Sequence, residues 1–408
     1  MKYNILPPKQ LSASISLPAS KSISNRILIL NALGMNQALT ENLSDCEDTR
    51  VLLDAFNSES NVFDIKGAGT AMRFLTAFLA GMEGDWIVKG SPRMHERPIH
   101  PLVNTLTALG AQIEYIEKEG FPPLRIRGTK LKGGEVYMSG NISSQFISAL
   151  LMIAPTMENG IVIHLENEII SKPYIELTLE LMAKYGIAYK WEGDDIVIRR
   201  QDYTPIPFRV EADWSAASYW YEMVSLIPNA QVTLPGLGKN SLQGDSNIAN
   251  LFCDLGVSTE FTANGVVLRK IKTTSKKFFR DFVNEPDLAQ TFAAACCFSN
   301  VPFLFSGLQS LKIKETDRIV ALQKELRKLG FVLNEAGYGM LEWDGERIVK
   351  EDNPVIETYE DHRMAMALAP AAVVFGSVII NDPQVVSKSY PKFWDDLRTA
   401  GFIIEEME

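Results

Sequence analysis

The chain alternates between apolar runs and polar segments in a pattern that repeats along its length. Six times a polar or acidic start precedes a run that is apolar nearly all round, and after the first gap the runs recur at roughly 70–75 residues. A helix that is apolar on every side is typical of a buried position. The pattern therefore predicts six buried helices, which begin near Ser20, Gly69, Ser143, Asp213, Pro286 and Asp361.

A second kind of helix follows most of these runs. Sequences such as PYIELTLELMAKYG and TDRIVALQKELRKLG have one charged face and stop at glycine, the usual C-cap residue, so we expect them on the outside. Short stretches such as GIVIHL, DDIVIRR, GVVLRK and GSVII alternate or cluster apolar residues as strands do. Each repeat is predicted as strand, helix, strand, helix and strands, and 408 residues favour two domains of three repeats each.

Composition narrows the class of protein. With 46% apolar and 22% charged residues the chain is typical of soluble globular proteins, and its formal charge of −10 argues against a sequence-independent nucleic-acid binder. The four cysteines form no CxxC pair and indicate free thiols of a reducing compartment. The four histidines lack metal-ligand spacing, and no apolar run is long enough for a membrane span. We therefore expect a cytoplasmic protein without a metal.

The starts of the predicted buried helices carry the candidate chemistry. Helix N-termini bind anions through free N–H groups and the helix dipole, and a local basic cleft can attract anions even in an acidic protein. N-caps are predicted at Ser22, Ser24, Thr70, Ser143, Ser144 and Asp361. Cations accompany these positions at Lys21, Arg26, Arg73, Arg97, Lys314, Arg318, Arg363 and Lys388. The arrangement favours a phosphate- or carboxylate-binding cleft, with Asp287, Glu315 and His362 as candidate acid–base groups.

Several common motifs are missing from the sequence. The segment GAGTAM lacks the third glycine of a dinucleotide fingerprint, and the chain contains neither a GxxxxGK[ST] loop nor a GxSxG elbow. Hydride transfer and Walker-type ATP hydrolysis are therefore poor interpretations. The stretch KETDR from Lys314 to Arg318 stays open, from its residues alone, between a solvated helix start and a catalytic edge.

Eleven segments, in order along nearly the whole chain, resemble those of the EPSP synthase family of enolpyruvyl transferases. They are LPASKSISNR, GAGTAMR, RMHERPI, SSQFISALL, ISKPYIELT, EADWSAASY, LQGD, PDLAQT, IKETDRI, EDHRMAMALA and VVSKSYPKFW. The resemblance implies an α/β fold, a two-domain inside-out α/β barrel of six βαβαββ repeats with buried parallel helices. It places one domain at 21–211, the other at 1–20 with 212–408, and the active site in the cleft between them.

The resemblance also implies a reaction. Phosphoenolpyruvate and shikimate 3-phosphate are the expected substrates, phosphate leaves, and neither a metal nor an organic cofactor is needed. The chain is expected to be a monomer without nucleic-acid or membrane partners. The residues expected to bind shikimate 3-phosphate are Lys21, Ser22, Arg26, Ser143, Ser144, Gln145, Ser171, Asp287 and Lys314. Those expected to bind phosphoenolpyruvate are Lys21, Gly69, Arg97, Gln145, Arg318, Arg363 and Lys388.

Four residues are expected to carry the chemistry. Asp287 matches the group that takes the 5-hydroxyl proton, Glu315 matches the acid that protonates the methylene carbon, and Lys21 and His362 complete the catalytic candidates. The family usually has Asn and Pro where this chain has Gly67 and Phe74. Glyphosate occupies the phosphoenolpyruvate pocket in the family, and the change at Phe74 leaves sensitivity to it open.

Two alternatives remain from the sequence. The sister transferase acting on UDP-N-acetylglucosamine typically has Asn after the first lysine and a loop cysteine, whereas Ser22 follows Lys21 here and no cysteine lies between Cys46 and Cys253. A non-catalytic anion-binding paralogue would be expected to have lost its acid–base residues, yet Asp287, Glu315 and His362 are all present.

Overall fold

A computed structural model describes residues 1–35 and 39–407. The helices are α1 (Lys21–Leu33), α2 (Glu47–Asn57), α3 (Gly69–Ala80), α4 (His100–Ala108), α5 (Ser144–Ile153), α6 (Lys172–Lys184), α7 (Trp214–Leu226), α8 (Ile248–Leu251), α9 (Ala289–Phe298), α10 (Arg318–Lys328), α11 (His362–Leu368), α12 (Ala371–Phe375) and α13 (Phe393–Thr399). The strands are β1 (Lys2–Leu6), β2 (Ser12–Ser14), β3 (Thr40–Glu41), β4 (Val62–Asp64), β5 (Gly84–Lys89), β6 (Gln112–Tyr115), β7 (Leu124–Gly128), β8 (Gly134–Ser139), β9 (Ile161–Glu166), β10 (Tyr189–Glu192), β11 (Asp195–Ile198), β12 (Phe208–Arg209), β13 (Gln231–Pro235), β14 (Val257–Thr262), β15 (Gly265–Lys270), β16 (Phe278–Asp281), β17 (Phe303–Ser306), β18 (Asn334–Gly337), β19 (Met340–Trp343), β20 (Val355–Ile356), β21 (Val378–Asn381) and β22 (Ile403–Met407).

The chain divides into two compact units. Ala19–Val210 form the continuous unit, and Met1–Pro18 with Glu211–Glu408 form the discontinuous unit. Strand β1 explains why the discontinuous unit contains the first 18 residues, because β1 pairs antiparallel with both β21 and β22.

The continuous unit repeats one order of elements. Its sheets have the strand orders β4-β5-β7-β6 and β10-β11-β9-β8, and a third pair joins β12 to β3. In each larger sheet the first two strands in sequence are parallel, and the buried helix α3 or α5 connects them. Parallel neighbours need such a crossover, whereas the two antiparallel strands that follow can be joined by a short turn. Strand, helix, strand, helix and two strands thus follow one another twice.

The discontinuous unit has sheets of the same kind. Their strand orders are β14-β15-β13-β2, β16-β17-β19-β18 and β20-β21-β1-β22. Parallel pairing joins β13 to β2, β16 to β17 and β20 to β21. The predicted strands GVVLRK and GIVIHL are confirmed as β15 and β9.

The burial of the helices follows the apolar pattern. Every residue of α3 and of α9 is buried, whereas α10 keeps Lys324 and Arg327 exposed opposite its buried face. The amphipathic helix α10 ends before Gly330, whose φ of 92° is the left-handed conformation that favours glycine. No helix within residues 1–35 and 39–407 has the length and apolar character to cross a membrane.

Two details of the predicted helices are wrong. The run from Asp361 was predicted as one helix, but it divides into α11 and α12 around Pro370, because proline has no N–H to donate within a helix. Ser22, Ser24, Thr70 and Ser144 are not N-caps, since α1 is capped by Ser20, α3 begins after Ala68 and α5 is capped by Ser143. The predicted caps at Ser143 and Asp361 are confirmed by their hydrogen bonds to Gln145 N and Arg363 N.

Candidate active site

The start of α1 places Lys21 beside a carboxylate. Lys21 Nζ lies 3.0 Å from Oδ2 of Asp48, which belongs to the first turn of α2, and both side chains are mostly buried. Asp48 was not among the residues predicted for the site. Its position in the first turn of a helix is an ordinary one for an acidic residue, so the sequence offered no signal beyond that.

Arg26 is buried one turn further along α1. Its Nε donates to Thr178 Oγ1 at 2.7 Å, Nη1 donates to the Ser22 carbonyl at 3.0 Å, and Nη2 donates to Ser148 Oγ and the Tyr174 carbonyl, each at 3.1 Å. All of these acceptors are neutral. Burial lowers the pKa of Arg26 to about 10, because a buried charge loses its hydration.

The start of α3 brings three predicted residues together. A Cβ added to Gly69 would lie 2.7 Å from Arg97 Nη1 and 2.9 Å from Arg73 Nη1, so only glycine allows these guanidinium groups so close to the helix start. Gln145 Nε2 donates to Thr70 Oγ1 at 3.1 Å. The N-terminal turn of α3 therefore has a glycine, two guanidinium groups and an amide around it, and this arrangement could bind an anion.

The predicted serines lie at two other helix starts. Ser143 caps α5 and the buried Ser144 is its first residue. Ser171 precedes α6 in the left-handed conformation, with a φ of 54°, and is buried. A non-glycine residue in this conformation is uncommon, and such outliers concentrate at functional positions.

In the discontinuous unit, Arg318 is held by three carboxylates. Its Nε lies 2.7 Å from Asp361 Oδ2, Nη2 lies 2.9 Å from Glu315 Oε2, and Nη1 lies 3.4 Å from Asp287 Oδ1. The Arg318 side chain is only 2% exposed. Burial works to lower the pKa of Arg318, but the charges of Asp361, Glu315 and Asp287 raise it above its ordinary value.

Asp287 contacts further cations. Arg363 Nη2 lies 2.8 Å from Asp287 Oδ2, its Nη1 donates to the Asp287 carbonyl at 3.0 Å, and Lys314 Nζ lies 4.0 Å from Oδ1. Asp287 sits in a 3-10 turn, Pro286–Leu288, directly before α9. The structure thus brings residues of three motifs, PDLAQT, IKETDRI and EDHRMAMALA, into one charged network of Asp287, Lys314, Glu315, Arg318 and Arg363.

The KETDR stretch both starts a helix and contributes side chains to the charged network. Asp317 caps α10 by accepting from Ile319 N and Val320 N at 3.1 and 3.2 Å, whereas Glu315 and Arg318 turn toward the charged network. The neighbouring α11 behaves similarly, because Asp361 both caps the helix and binds Arg318. The sequence indicated the cap at Asp361 but not its ion pair.

Of the two remaining predicted residues, His362 follows Asp361 in the sequence, and Lys388 binds the carbonyl of the residue before Asp361. His362 is buried, and its Nδ1 lies 4.0 Å from Asp361 Oδ1. Lys388, at the end of the 3-10 helix Pro383–Lys388, donates through Nζ to the Glu360 carbonyl at 3.1 Å.

Asp245 is a buried carboxyl that the sequence analysis quoted only within the segment LQGD. One of its oxygens accepts from the Ser215 hydroxyl. The pKa of Asp245 is raised to about 7, first by burial and then by the charge of Asp287, while the charge of Arg363 opposes them. Asp245 therefore lies within electrostatic reach of the charged network.

Comparisons with known proteins identify the family. A model of the family described as EPSP synthase (3-phosphoshikimate 1-carboxyvinyltransferase) matches residues 5–58 and 54–397. The chain belongs to the EPSP synthase family. A relative from Bacteroides fragilis named 3-phosphoshikimate 1-carboxyvinyltransferase is 54% identical over 406 residues, covering 99% of each chain. A relative of the same name from Vibrio cholerae is 36% identical over 95% of this chain and 97% of its own.

Solved structures agree on the fold. The structure of EPSP synthase from Acinetobacter baumannii superposes with a TM-score of 0.79 at 20% identity, covering 99% of this chain and 100% of that one. The mixed α/β fold expected from the resemblance to the EPSP synthase family is thereby confirmed. Within the two described ranges, no group of three or more His, Cys, Asp or Glu side chains could hold a metal ion.

Proposed function

We propose that this protein transfers the enolpyruvyl group of phosphoenolpyruvate to the 5-hydroxyl of shikimate 3-phosphate, which releases phosphate and forms 5-enolpyruvylshikimate 3-phosphate. The observation that carries the proposal is the 54% identity, over nearly its whole length, to a relative named for this activity. The buried cations of the site suit a reaction between two anions. The enzyme must bind the phosphate group of shikimate 3-phosphate and release the phosphate of phosphoenolpyruvate. The protein would then act in the biosynthesis of chorismate and aromatic amino acids.

Shikimate 3-phosphate binds, in this proposal, mainly to residues of the continuous unit. Arg26 supports this role because all its protein acceptors are neutral, so its charge is available to an anion. The positions of Ser143, Ser144 and Ser171 at helix N-termini support their roles, because the helix dipole favours an anion there. The remaining proposed contacts to this substrate are Lys21, Ser22, Gln145, Asp287 and Lys314.

Phosphoenolpyruvate binds through cations and a glycine. The approach of Arg97 to the α3 start supports a site there, because any side chain at Gly69 would displace the guanidinium. Arg318 and Arg363 offer fork-shaped donors that match carboxylate and phosphate oxygens. The remaining proposed contacts are Lys21, Gln145 and Lys388.

The chemistry is an addition followed by an elimination. Glu315 donates a proton to the methylene carbon of phosphoenolpyruvate, the 5-hydroxyl oxygen bonds to C2, and Asp287 takes the hydroxyl proton. The bond from C2 to the phosphate oxygen of this tetrahedral intermediate then breaks. One methyl proton returns to Glu315, the carbon–carbon double bond forms again, and the proton held at Asp287 leaves with phosphate. Lys21 balances charge on the departing phosphate, and His362, buried beside Asp361, is a further acid–base candidate.

Finer features of the architecture belong to the same proposal. The repeated order of strand, helix, strand, helix and two strands supports six βαβαββ units in the inside-out barrel of the family. Two compact units support the assignment of 21–211 to the shikimate 3-phosphate side, and of 1–20 with 212–408 to Asp287, Glu315, Arg363 and Lys388. A monomer in the cytoplasm completes the proposal.

The decisive experiment measures phosphate release from phosphoenolpyruvate, with and without shikimate 3-phosphate, in metal-free buffer. Release that depends on shikimate 3-phosphate is the expected result. Binding of shikimate 3-phosphate without release would contradict the proposal and favour a non-catalytic paralogue. Binding of neither substrate would direct the next assay to UDP-N-acetylglucosamine. Repeating the assay with glyphosate measures whether this protein, which has Phe74 where the family usually has Pro, is inhibited.

A further inference from the structure

An aromatic ring lies against the buried guanidinium of Arg26. The Arg26 Cζ atom lies 5.4 Å from the centroid of the Phe74 ring, within the distance at which a cation is attracted to a ring face. Phe74 is 1% exposed and Arg26 is 3% exposed. Water therefore does little to screen the interaction, and the attraction is stronger than it would be at the surface.

The other contacts of Arg26 leave its charge without a counterion. Its hydrogen bonds reach only hydroxyl and carbonyl oxygens, and within the described part of the chain no carboxylate lies within 4.0 Å of its guanidinium. Burial without a counterion disfavours the charged form. The negative face of the Phe74 ring is thus a source of electrostatic stabilisation that hydroxyl groups alone do not supply.

Phe74 also belongs to a helix that serves the second substrate. It lies on α3, five residues after Gly69, which approaches Arg97. The N-terminal turn of α3 therefore lies against Arg97, assigned to phosphoenolpyruvate, and the next turn lies against Arg26, assigned to shikimate 3-phosphate. Since α3 is buried all round, a change at Phe74 cannot be relieved into solvent.

We propose that Phe74 is a positioning residue for shikimate 3-phosphate: its ring holds the guanidinium of Arg26 charged and oriented before the substrate arrives. This inference rests on the proposed function, which assigns Arg26 to that substrate. Phe74 itself contacts no reacting atom in this account. It acts by lowering the electrostatic cost of keeping a receptor cation buried while the site is empty.

The test compares variants of Phe74 with a matched change on the same helix. Phe78 lies one turn further along α3, where its ring meets Phe56 with centroids 5.2 Å apart. Calorimetric titration with shikimate 3-phosphate should show about a tenfold weaker affinity for Phe74→Leu, and affinities within about twofold of the unaltered protein for Phe74→Tyr and Phe78→Leu. Circular dichroism establishes that each variant is folded.

Fluorinated phenylalanines at position 74 separate electrostatics from packing. Each added fluorine weakens the negative ring face with little change of shape, so affinity should fall stepwise along the series. A purely structural role would leave the series flat, and a flat series would overturn the inference. Unchanged affinity in a folded Phe74→Leu protein would overturn it as well.

A substrate-independent measurement keeps this inference distinct from the proposed function. Failure of the unaltered protein to bind shikimate 3-phosphate would count against the function. The Phe74–Arg26 pairing is then judged from thermal midpoints of Phe74→Leu, Arg26→Met and the double variant. Non-additive midpoints support the pairing, and additive midpoints overturn it.

Discussion

Arg26 in the continuous unit and Arg318 in the discontinuous unit are both buried arginines, yet their surroundings are opposite. Arg26 donates to hydroxyl and carbonyl oxygens, and burial lowers its pKa to about 10. Arg318 binds Asp361, Glu315 and Asp287, whose charges raise its pKa despite burial. Arg26 is buried among neutral acceptors, whereas Arg318 is paired with carboxylates that it holds in place.

The largest effect should follow from removing one carboxylate of the Arg318 network. Asp287→Ala is expected to reduce turnover by about 10²–10⁴-fold, since it removes the proposed base, while shikimate 3-phosphate still binds. Phosphate release and calorimetry measure the two quantities. Turnover at the unaltered rate would refute the role of Asp287, and loss of binding alone would mean that the network holds substrate without acting as a base.

Removing Arg318 tests the network's contribution to stability. Arg318→Met leaves the fully buried Asp361 without its ion pair, so the free energy of unfolding should fall by about 3–5 kcal/mol. Urea unfolding measures the change. Arg398→Met provides the control. Arg398 is exposed and pairs with Asp395 three residues away, as Arg318 pairs with Glu315, and its loss should lower the free energy of unfolding by about 0–1 kcal/mol. Equal losses in the two variants would remove the contrast between buried and exposed arginines.

A smaller loss is expected around Arg26. Thr178→Val removes the acceptor 2.7 Å from Nε without changing a charge, and leaving this buried donor unpaired should cost about 1–3 kcal/mol. Thr76→Val is the matched control, since the buried Thr76 hydroxyl donates to the Met72 carbonyl of its own helix. If Thr178→Val proved as destabilising as Arg318→Met, the proposed difference between the two arginines would be wrong.

The last effect depends on pH and concerns Asp245, a buried carboxyl outside the contacts of Arg318. Its pKa is raised from 3.8 to about 7. Between about pH 4 and pH 7 the folded protein therefore holds a proton that the unfolded chain does not, and the stability of the protein falls as the pH rises through this range. Asp245→Asn should abolish this contribution. The thermal midpoint of the variant relative to the unaltered protein should therefore be higher at pH 8 than at pH 5. An identical difference at both pH values would show that Asp245 does not titrate in this range.

Much of the site could be predicted because its residues follow local patterns. The cap at Asp361 depends on the N–H group of Arg363, two residues away, and the burial of α3 follows from an unbroken apolar run. The residues of the charged network were recognised from their positions beside predicted helix starts and then from family motifs, but their contacts with one another were not predicted. Asp48, Thr178 and Asp245 were not recognised as neighbours of the site, since nothing local distinguishes an acid in a helix turn or a threonine on a helix face.

The sequence by itself determined the order of helices and strands, the buried character of the first helix in each repeat, and the family. Only the tertiary structure decided which partner balances each buried charge. Arg26 meets Thr178 across 152 positions and Arg318 meets Asp361 across 43. Hydrophobic periodicity and capping act over a few residues and can be inferred from the chain, whereas the surroundings of a buried charge depend on which distant elements pack around it.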